Sequence, residues 1–558
     1  MVGKRSLSLV ECPPGKEAPP IRIALYHGWE LIGSGSNEYT RYFARSLAAA
    51  GHEVHVLCRE EQVERIDFAT SAYRWSRDGR REPVFEGRPV EPRGRCTIHV
   101  LPHGEVRPVF VTDKQRAGNV KAFKEMSDAE VTAYREMNVR VVTEVLRAHP
   151  VDILHANHVV LQPTVAAEAC GALGIPFIIY PHGSAIEYTV RPDPRFKAFL
   201  AGAIERCAGL IIGSDEVRNR ILELYPERRE AILEKSQIIG VGVDTSLFEP
   251  VPRSERDDAI ARLKAARPGG GKTAALEVEL RQRLDAGELE AALAYHEAYV
   301  HAAPDEGVAE KVERVPWRDG AILLFVGALT VGKGLQSVIA GLPRVLAKVP
   351  DAHLVIVGSG RYREVLEALV HAIATGNRGL LEQLTARGND LDRTHLSGAW
   401  ADVSAYLARG ESLEATLAAG AGFAEHVHFL GRLNHDLLRF VFPCADVALF
   451  PSVIPEAYPL VLMESLSNGV LPTASNFSGF AEGLDQLVPD LGQARVEQMR
   501  LPMDAAVRVQ GIADRLAGLL SDRRDWSAEL RAIATARYDW AIRVEQMVGA
   551  YEEYGGVR

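Results

Sequence analysis

The segment IRIALYH, residues 21–27, is a short apolar run that ends in a polar residue and leads into a glycine-rich turn. A helical pattern follows from about Glu38 to Ala50, and a second apolar run, EVHVLC, occupies residues 53–58. Short apolar runs that alternate with helical patterns are typical of a parallel sheet covered by helices on both faces. The first sixty residues therefore predict an α/β fold.

The same alternation recurs in two separate series along the chain. The other strands of the first series are VDILHANH (151–158), PFIIYPHG (176–183), GLIIGS (209–214) and SQIIGVGVD (236–244). The strands of the second series are AILLFVGA (321–328), HLVIVGSG (353–360), HVHFLGR (426–432), DVALFPS (446–452) and GVLPTAS (469–475). Open α/β sheets bind ligands at the carboxyl ends of their strands. Two series predict two Rossmann-like domains that face each other across a ligand-binding cleft.

Stretches without this alternation set the expected domain boundaries. They are a flexible N-terminal segment (1–20), an N-terminal domain (21–250), a helical insertion or linker (251–318), a C-terminal domain (319–524) with an insertion at about 371–425, and a C-terminal helix (525–558) that crosses back to the N-terminal domain. A chain of 558 residues is too long for one ordinary core, which agrees with two domains plus insertions.

Composition excludes several classes of protein. The hydrophobic fraction of 47% and the charged fraction of 25% are those of a folded globular protein. A net charge of −10 provides no general basic field, so a nucleic-acid partner is not expected. The first twenty residues lack the apolar run of a signal peptide, and no apolar stretch reaches the ~18 residues that span a bilayer.

The six cysteines are scattered, without a CxxC spacing. This pattern suits reduced thiols in the cytoplasm and supports neither a disulfide framework nor a zinc site. The densest basic segment, a Gly/Pro-rich stretch between Arg74 and Arg95, could meet an anionic acceptor or touch a membrane surface peripherally. A solvated surface loop is the favoured interpretation of it.

The segment FPSVIPEAYPLVLME, residues 450–464, places two carboxylates, Glu456 and Glu464, eight residues apart beside a strand-to-helix turn. A fully helical span would separate them by about 12 Å along the axis. That exceeds the roughly 5–9.5 Å between the paired carboxylates of glycoside hydrolases. It suits two groups that grip one elongated ligand, with a helix N-terminus for a diphosphate between them. Spacing alone leaves open that Glu456 caps the helix and that Glu464 is an ordinary surface residue.

This E-x7-E segment resembles the signature of the retaining glycosyltransferases of family 4, which have the GT-B fold of two facing Rossmann-like domains. Further motifs resemble the same family in the same order: Ser34-Gly35 with GHEV (51–54), Pro181-His182-Gly183, GVGVD (240–244) with Phe248 and Pro250, Gly327 with Lys333-Gly334, and NFSGF (476–480) with Glu482. The two insertions resemble a bacterial branch of the family. The resemblance covers most of the chain and implies an enzyme of carbohydrate biosynthesis.

The resemblance also implies roles for individual residues. Glu464 is expected to hold the ribose hydroxyls of a nucleotide-diphosphate sugar, and Glu456 the hydroxyls of the donor sugar. Lys333 would neutralise the departing diphosphate, and His182 would contact the sugar near its reacting carbon. The implied donor site comprises Ser34, Gly35, Gly327, Lys333, Tyr458, Pro459, Leu460 and Glu464. Neither a metal nor another cofactor is implied, and attack is on the front face with help from the leaving phosphate.

Two positions depart from the family pattern. Ala328 stands where the family usually has Arg or Lys, so Arg361 and Arg432 become the candidates for a second cation at the diphosphate. Pro459 replaces a common glycine and removes one N–H donor.

Weaker signals favour structural interpretations. The run from Gly269 to Thr273 imitates the end of a phosphate-binding P-loop but follows no strand, so a flexible loop is expected. The acidic residues Asp390 and Asp392 fall in the second insertion and are interpreted as surface charge. His155 and His158 have no third metal ligand at a suitable spacing, so structural or cleft-edge roles are favoured.

Three functional hypotheses follow. The leading one is a metal-independent glycosyltransferase with a nucleotide-sugar donor and an acceptor that is a saccharide, a lipid-linked molecule or a small molecule. The second is a glycoside phosphorylase on the same fold. The third, prompted by Ala328, is a catalytically idle module that binds sugar nucleotides. The motifs specify neither the acceptor nor an oligomeric state.

Overall fold

The N-terminal domain is built on a nine-stranded sheet. Its strands are β1 (Arg22–Tyr26), β2 (Glu53–Cys58), β3 (Ser71–Trp75), β4 (Arg81–Phe85), β5 (Arg95–Val100), β8 (Ile153–Asn157), β9 (Phe177–Tyr180), β10 (Gly209–Ile212) and β11 (Ser236–Ile238), and a separate pair is formed by β6 (Arg107–Val109) and β7 (Val120–Ala122). The order in the large sheet is β11-β10-β9-β8-β1-β2-β5-β3-β4. Its direction of winding reverses between β1 and β8, where such sheets form a ligand-binding crevice.

The computed structural model describes residues 20–33, 35–90, 94–110, 119–392 and 396–556. Apart from residue 20, the predicted flexible segment 1–20 lies outside the described residues, and so does Ser34.

From its composition, the stretch between Arg74 and Arg95 was expected to be a solvated loop. The structure shows that part of it forms β-structure. The stretch contains the end of β3 and all of β4, which pair antiparallel, and β3 also pairs with β5. Ala72 and Trp75 of β3 are buried, whereas no residue of β4 is. A solvated, charged edge strand lacks the alternation of apolar and polar residues that indicates a strand. The sequence of this stretch therefore predicted a loop.

The C-terminal domain contains a fully parallel sheet of six strands. They are β12 (Ala321–Val326), β13 (Ala352–Val357), β14 (Val427–Gly431), β15 (Val447–Phe450), β16 (Leu471–Ser475) and β17 (Arg500–Leu501). Their order, β14-β13-β12-β15-β16-β17, is the 3-2-1-4-5-6 order of a Rossmann fold. The winding reverses between β12 and β15, so the loops after these two strands flank the crevice. The predicted α/β fold with two Rossmann-like domains is confirmed.

Helices cover both sheets. Those of the N-terminal domain are α1 (Gly35–Ala49), α2 (Asp128–Ala148), α3 (Gln162–Leu173), α4 (Gly183–Ala185), α5 (Pro194–Arg206), α6 (Asp215–Leu224) and α7 (Arg229–Glu234). The segment between the domains contains α8 (Arg256–Ala265), α9 (Ala274–Asp285), α10 (Leu289–Leu293) and α11 (Val308–Glu313). The C-terminal domain contains α12 (Leu335–Leu346), α13 (Arg363–Ala374), α14 (Arg378–Arg387), α15 (Ala401–Leu407), α16 (Gly410–Leu417), α17 (His435–Val441), α18 (Leu460–Ser467), α19 (Ser478–Asp485), α20 (Val488–Leu491), α21 (Gln493–Met499) and α22 (Arg508–Asp522), and the tail contains α23 (Ser527–Arg537) and α24 (Trp540–Gly555).

The tail helix α24 packs on the N-terminal domain. The hydroxyl of Tyr551 lies 2.6 Å from His155 Nδ1, and that of Tyr554 donates to the Lys235 carbonyl. Trp540 fills the space left by Gly242, where a Cβ would lie 2.5 Å from its ring. Among the described helices, none is both long and apolar enough to cross a membrane.

The segment between the domains is fixed to the C-terminal domain by buried charges. Lys272, which is fully buried, donates to Glu364 Oε1 at 3.0 Å and also pairs with Glu367. Gly271 packs so closely that a Cβ would lie 2.6 Å from the Pro304 carbonyl oxygen. The expectation of a flexible loop from Gly269 to Thr273 is therefore wrong, because Lys272 anchors it in the protein.

We predict that Lys272→Met lowers the free energy of unfolding by about 3 kcal/mol, because it leaves the Glu364 and Glu367 carboxylates buried without their ammonium partner. Urea unfolding followed by circular dichroism measures the change. Lys264→Met is the matched control, since the Lys264–Glu313 pair is exposed and contributes at most about 1 kcal/mol. Equal stability of the two variants would contradict the prediction.

Candidate active site

The turn between β15 and α18 carries the first carboxylate of the E-x7-E motif. Glu456 Oε1 accepts hydrogen bonds from Lys333 Nζ at 2.5 Å and from Ser452 Oγ at 3.1 Å. The Lys333 and Glu456 side chains are 29% and 21% exposed, so a ligand in the cleft can reach the pair. Pro459 occupies the N-cap position of α18, so the alternative in which Glu456 caps that helix is wrong.

The loop that carries Lys333 is joined to the same turn. It follows β12, and the Gly332 carbonyl accepts a hydrogen bond from the Val453 amide at 2.8 Å, while Ser452 Oγ lies 3.1 Å from the same carbonyl oxygen. Gly334 has a φ of +72°, and a Cβ there would lie 1.9 Å from the Pro451 carbonyl oxygen. The glycine after Lys333 is thus required for the close approach of the loops that follow β12 and β15.

Asp392 of the second insertion also contacts this loop. Its Oδ2 accepts a hydrogen bond from the Val331 amide at 2.8 Å, and the side chain is buried. Burial raises the pKa of Asp392 to about 6, although the bond from Val331 acts in the opposite direction. Its interpretation as surface charge is wrong, because the insertion folds back onto the Lys333 loop, a tertiary contact without a local sequence signal.

Glu464, the second carboxylate, lies in α18 and is only 5% exposed, which excludes an ordinary surface residue. Its Oε1 lies 3.3 Å from His435 Nε2, and His435 Nδ1 lies 3.1 Å from the hydroxyl of Tyr42 in the N-terminal domain. Burial lowers the pKa of His435, but the Glu464 carboxylate outweighs it and the net pKa is raised. Both residues line a small pocket between the domains, together with Glu38, Tyr39, Asp244 and Trp540.

His182 lies at the carboxyl end of β9, in a buried polar network. Its Nε2 is 3.4 Å from Asn157 Oδ1, and Asn157 donates to the Thr40 hydroxyl, which lies 3.2 Å from His27 Nδ1. Burial lowers the pKa of His182 to about 3, with His27 and His155 adding to the effect, so its ring is neutral at pH 7. The next residue, Gly183, touches Ala457, where a Cβ on the glycine would lie 2.7 Å from the Ala457 Cβ. The His-Gly turn and the Glu456 turn therefore meet across the cleft.

His158, for which the sequence favours a structural or cleft-edge role, is a functional candidate. It follows β8 with a φ of +68°, a strained backbone for a residue other than glycine. Its ring is buried, its centroid lies 4.6 Å from that of His182, and neither ring nitrogen has a hydrogen-bond partner among the described residues. A satisfied structural histidine would have such a partner. Neither the strain nor the missing partners leave a sequence signal.

The glycine loop of the N-terminal domain meets the N-terminus of α18. A Cβ on Gly35 would lie 3.9 Å from Leu460 Cδ1, so these two predicted donor-site residues lie side by side. Tyr458 differs, because its hydroxyl donates to Gln486 Oε1 at 3.1 Å and its ring packs near Gly240. The side chain of Tyr458 thus contributes to the contact between the domains, and a role of this residue in donor binding stays a prediction.

Gly327 lies where β12 meets the neighbouring loop. Its carbonyl oxygen would lie 1.9 Å from a Cβ on Gly358. The next residue, Ala328, has an uncharged side chain. Arg432, which comes directly after β14, reaches across the cleft and donates a hydrogen bond to the Gly33 carbonyl. Of Arg361 and Arg432, the two candidates for the second cation at the diphosphate, Arg432 is thus the one that contacts the glycine loop.

One group of described residues has the spacing of a metal site: His55, His99 and His149. His99 Nδ1 accepts a hydrogen bond from Trp75 Nε1 at 3.1 Å, so the proton of the neutral ring is on Nε2, which lies 3.1 Å from His55 Nδ1. A metal ligand needs an unprotonated nitrogen. Hydrogen bonding accounts for His55 and His99, which lie on β2 and β5, and His149 follows the end of α2.

We predict that the stabilising effect of His435 depends on pH. Because its folded pKa is raised, the effect is full below the ordinary value of about 6.5 and is lost as pH rises through the folded pKa. The stability difference between wild type and His435→Gln, measured by urea unfolding from pH 5.5 to 8.5, should therefore shrink as pH rises. Tyr42→Phe keeps the Glu464 pair and should keep this dependence. A difference that grows with pH would contradict the prediction.

Comparison with known proteins supports the family resemblance and the fold. Residues 34–233 match the family model of the glycosyl transferase 4-like domain, and residues 409–491 match that of glycosyl transferases group 1, together about half of the chain. The phosphatidyl-myo-inositol mannosyltransferase of Mycolicibacterium smegmatis is 25% identical over 247 residues, which are 43% of this chain and 47% of that protein. The chain thus spans about half the length of the curated relatives it matches.

Two solved structures share the fold. Sucrose-phosphate synthase from Thermosynechococcus elongatus superposes with a TM-score of 0.54 and 17% identity, covering 96% of this chain and all of the other. HepE of Anabaena, solved in complex with UDP, has a TM-score of 0.52 and 13% identity, covering 95% of this chain and all of the other. The family models, the relatives and the two facing Rossmann-like domains agree: the chain belongs to the GT-B glycosyltransferases of the family 4 type.

Proposed function

We propose that the protein is a retaining glycosyltransferase that transfers a sugar from a nucleotide-diphosphate donor without a metal ion. The observation that carries this proposal is the contact between Lys333 and Glu456. The two residues come from loops on either side of the C-terminal switch point, and the Glu456 turn meets the His182 turn across the cleft. This arrangement supports a donor held between the domains.

The donor would extend along α18. Its diphosphate would lie at the N-terminus of α18, beside Leu460 and Gly35, where backbone N–H groups and the helix dipole favour an anion. Its ribose would lie beside Glu464, whose carboxylate oxygens can accept hydrogen bonds from two hydroxyls. The complexes of HepE with UDP and UDP-glucose support this class of donor.

Lys333 supplies positive charge as the bond to the diphosphate breaks. An ammonium group has three N–H donors, and Glu456 accepts one of them, so the others are suited to phosphate oxygens. In this proposal the acceptor oxygen forms its bond to the anomeric carbon on the face from which the phosphate departs. The acceptor proton passes to the leaving phosphate oxygen, and the anomeric configuration is retained. The acceptor would approach from the N-terminal domain beside His182.

Arg432 takes the place of the family's cation at Ala328 in this proposal. Its guanidinium already lies at the Gly33 carbonyl, next to the glycine loop, where a diphosphate could accept its hydrogen bonds. We also propose a cytoplasmic location, supported by the free, buried state of all five described cysteines.

The decisive experiment screens the purified protein against UDP-, GDP-, ADP- and TDP-sugars by thermal shift and by release of free sugar. One nucleotide should stabilise the protein, because a ligand that binds only the folded state raises its stability. Glu456→Gln and Lys333→Ala should each slow sugar release by about 100-fold or more. Lys348→Ala is the control, since Lys348 is exposed and pairs with Asp514.

Other outcomes identify the alternatives. Release of sugar 1-phosphate from a disaccharide in phosphate buffer would indicate a phosphorylase. Stabilisation by a nucleotide sugar without turnover, even with diverse acceptors, would indicate an idle binding module. Stabilisation by none of the four donors would overturn the proposed donor site.

We predict that Arg432→Gln weakens binding of the selected nucleoside diphosphate by about tenfold, the value of one charge-assisted hydrogen bond. Titration calorimetry measures the dissociation constant. Arg439→Gln, on the exposed face of α17, should leave it unchanged. Equal affinities of the two variants would show that Arg432 does not replace the missing cation.

A further inference from the structure

The peptide that joins Glu456 to Ala457 is held by groups from both domains. The Glu456 carbonyl accepts hydrogen bonds from the Gly479 amide at 3.0 Å and the Ser478 hydroxyl at 2.8 Å, both in the C-terminal domain. Arg220 of the N-terminal domain lies 3.4 Å from the same oxygen. Ser214, also of the N-terminal domain, donates to the Ala457 carbonyl at 2.7 Å. The N-terminal domain therefore binds the backbone of the turn that carries Glu456.

Arg220 is fixed in this position. Its side chain is 6% exposed, and its guanidinium donates to Glu216 Oε1 at 2.9 Å and to the Ser478 hydroxyl at 3.0 Å. Glu187 lies 3.8 Å away on a third side. A guanidinium is a planar fork of donors, so it can hold a carboxylate of its own helix and two groups of the other domain at once.

In a second contact at α6, the C-terminal domain supplies the side chain and the N-terminal domain supplies the backbone groups. The carboxylate of Glu482, in α19 of the C-terminal domain, accepts hydrogen bonds from the Asp215 and Glu216 amides at 2.9 and 3.0 Å. These are the first amides of α6, which have no partner within the helix, and a carboxylate there also interacts favourably with the helix dipole. We call Ser214, Arg220 and Glu482 the α6 latch.

The turn from Ser452 to Pro459 has no regular secondary structure, so its conformation depends on such contacts. If the cleft opened, Glu456 and Ala457 would lose Arg220 and Ser214, while Lys333, Ser478 and Gly479 would stay with them in the C-terminal domain. The part of the nucleotide site that belongs to the C-terminal domain, Leu460 and Glu464, would be retained, but one side of the Glu456 turn would be unsupported.

We propose that Arg220 is a positioning residue and that the α6 latch orients Glu456 for sugar transfer only when the two domains are closed. This inference rests on the proposed function for its catalytic consequence. Arg220 acts on the reaction through the Glu456 backbone and does not touch the donor. It follows that nucleotide affinity and turnover respond differently to its loss.

The test compares Arg220→Met with Arg218→Met. Arg218 lies in the same helix and pairs with Asp215, away from the Glu456 turn. Arg220→Met should lower kcat for sugar release by about 100-fold, since small displacements of catalytic groups have effects of this size. Its dissociation constants for UDP, GDP and ADP should stay within about threefold of wild type, and Arg218→Met should match wild type in both. Unchanged kcat in Arg220→Met, or an equal loss of kcat and affinity, overturns the proposal.

Amide hydrogen exchange provides a readout that does not need activity. The amide of Gly479 donates to the Glu456 carbonyl, and the amides of Asp215 and Glu216 donate to the Glu482 carboxylate. These three amides should exchange faster in Arg220→Met than in Arg218→Met. If the wild type released sugar from none of the donors, the proposed function would fail while this measurement still tested the latch. Unchanged exchange overturns it. Should Arg220→Met not fold, Arg220→Lys and Glu482→Gln take its place, and wild-type kcat in both would refute the latch.

Discussion

The peptide between Glu456 and Ala457 is the constraint on which the site depends. Gly183 and Gly479 lie against this peptide. A Cβ on Gly479 would lie 2.6 Å from the carbonyl oxygens of both Glu456 and Ala457. Larger residues at either glycine would separate the His182 turn or the α19 N-terminus from this peptide. The glycines of these motifs thus serve packing of backbone on backbone, and the carboxylate of Glu456 is placed by contacts of its main chain.

The topology explains why the relevant loops come together. In each sheet the winding reverses once, between β1 and β8 and between β12 and β15. The residues after these strands include His27, His158, the Lys333 loop and the Glu456 turn. Two switch points that face each other produce a cleft with histidines on one wall and an ion pair on the other, and the tail helix α24 holds the walls together.

The insertions are part of the C-terminal domain and do not form separate modules. The first is anchored by Lys272 and its carboxylate partners, and the second contributes Asp392, which holds the Val331 amide beside Lys333. Charges that are buried in this way must be paired, because desolvation of an unpaired charge is costly. From the sequence, the loop that contains Lys272 was expected to be flexible and Asp392 to be surface charge, because neither tertiary contact has a local signal.

The sequence by itself determined the α/β class, most strand positions, the two-domain organisation and the E-x7-E and Lys-Gly motifs, because these depend on local periodicity and on spacing within one loop. Only the tertiary structure decided that Lys333 meets Glu456, that His435 pairs with Glu464, that Tyr458 turns to Gln486 and that Arg220 reaches the Glu456 carbonyl. Each of these contacts joins residues far apart in the chain. Arg220 lies in an ordinary amphipathic helix, whose sequence pattern indicates only which side chains are buried. Periodicity indicates which face of an element is buried, whereas the partner across a domain interface is set by the relative placement of the two sheets.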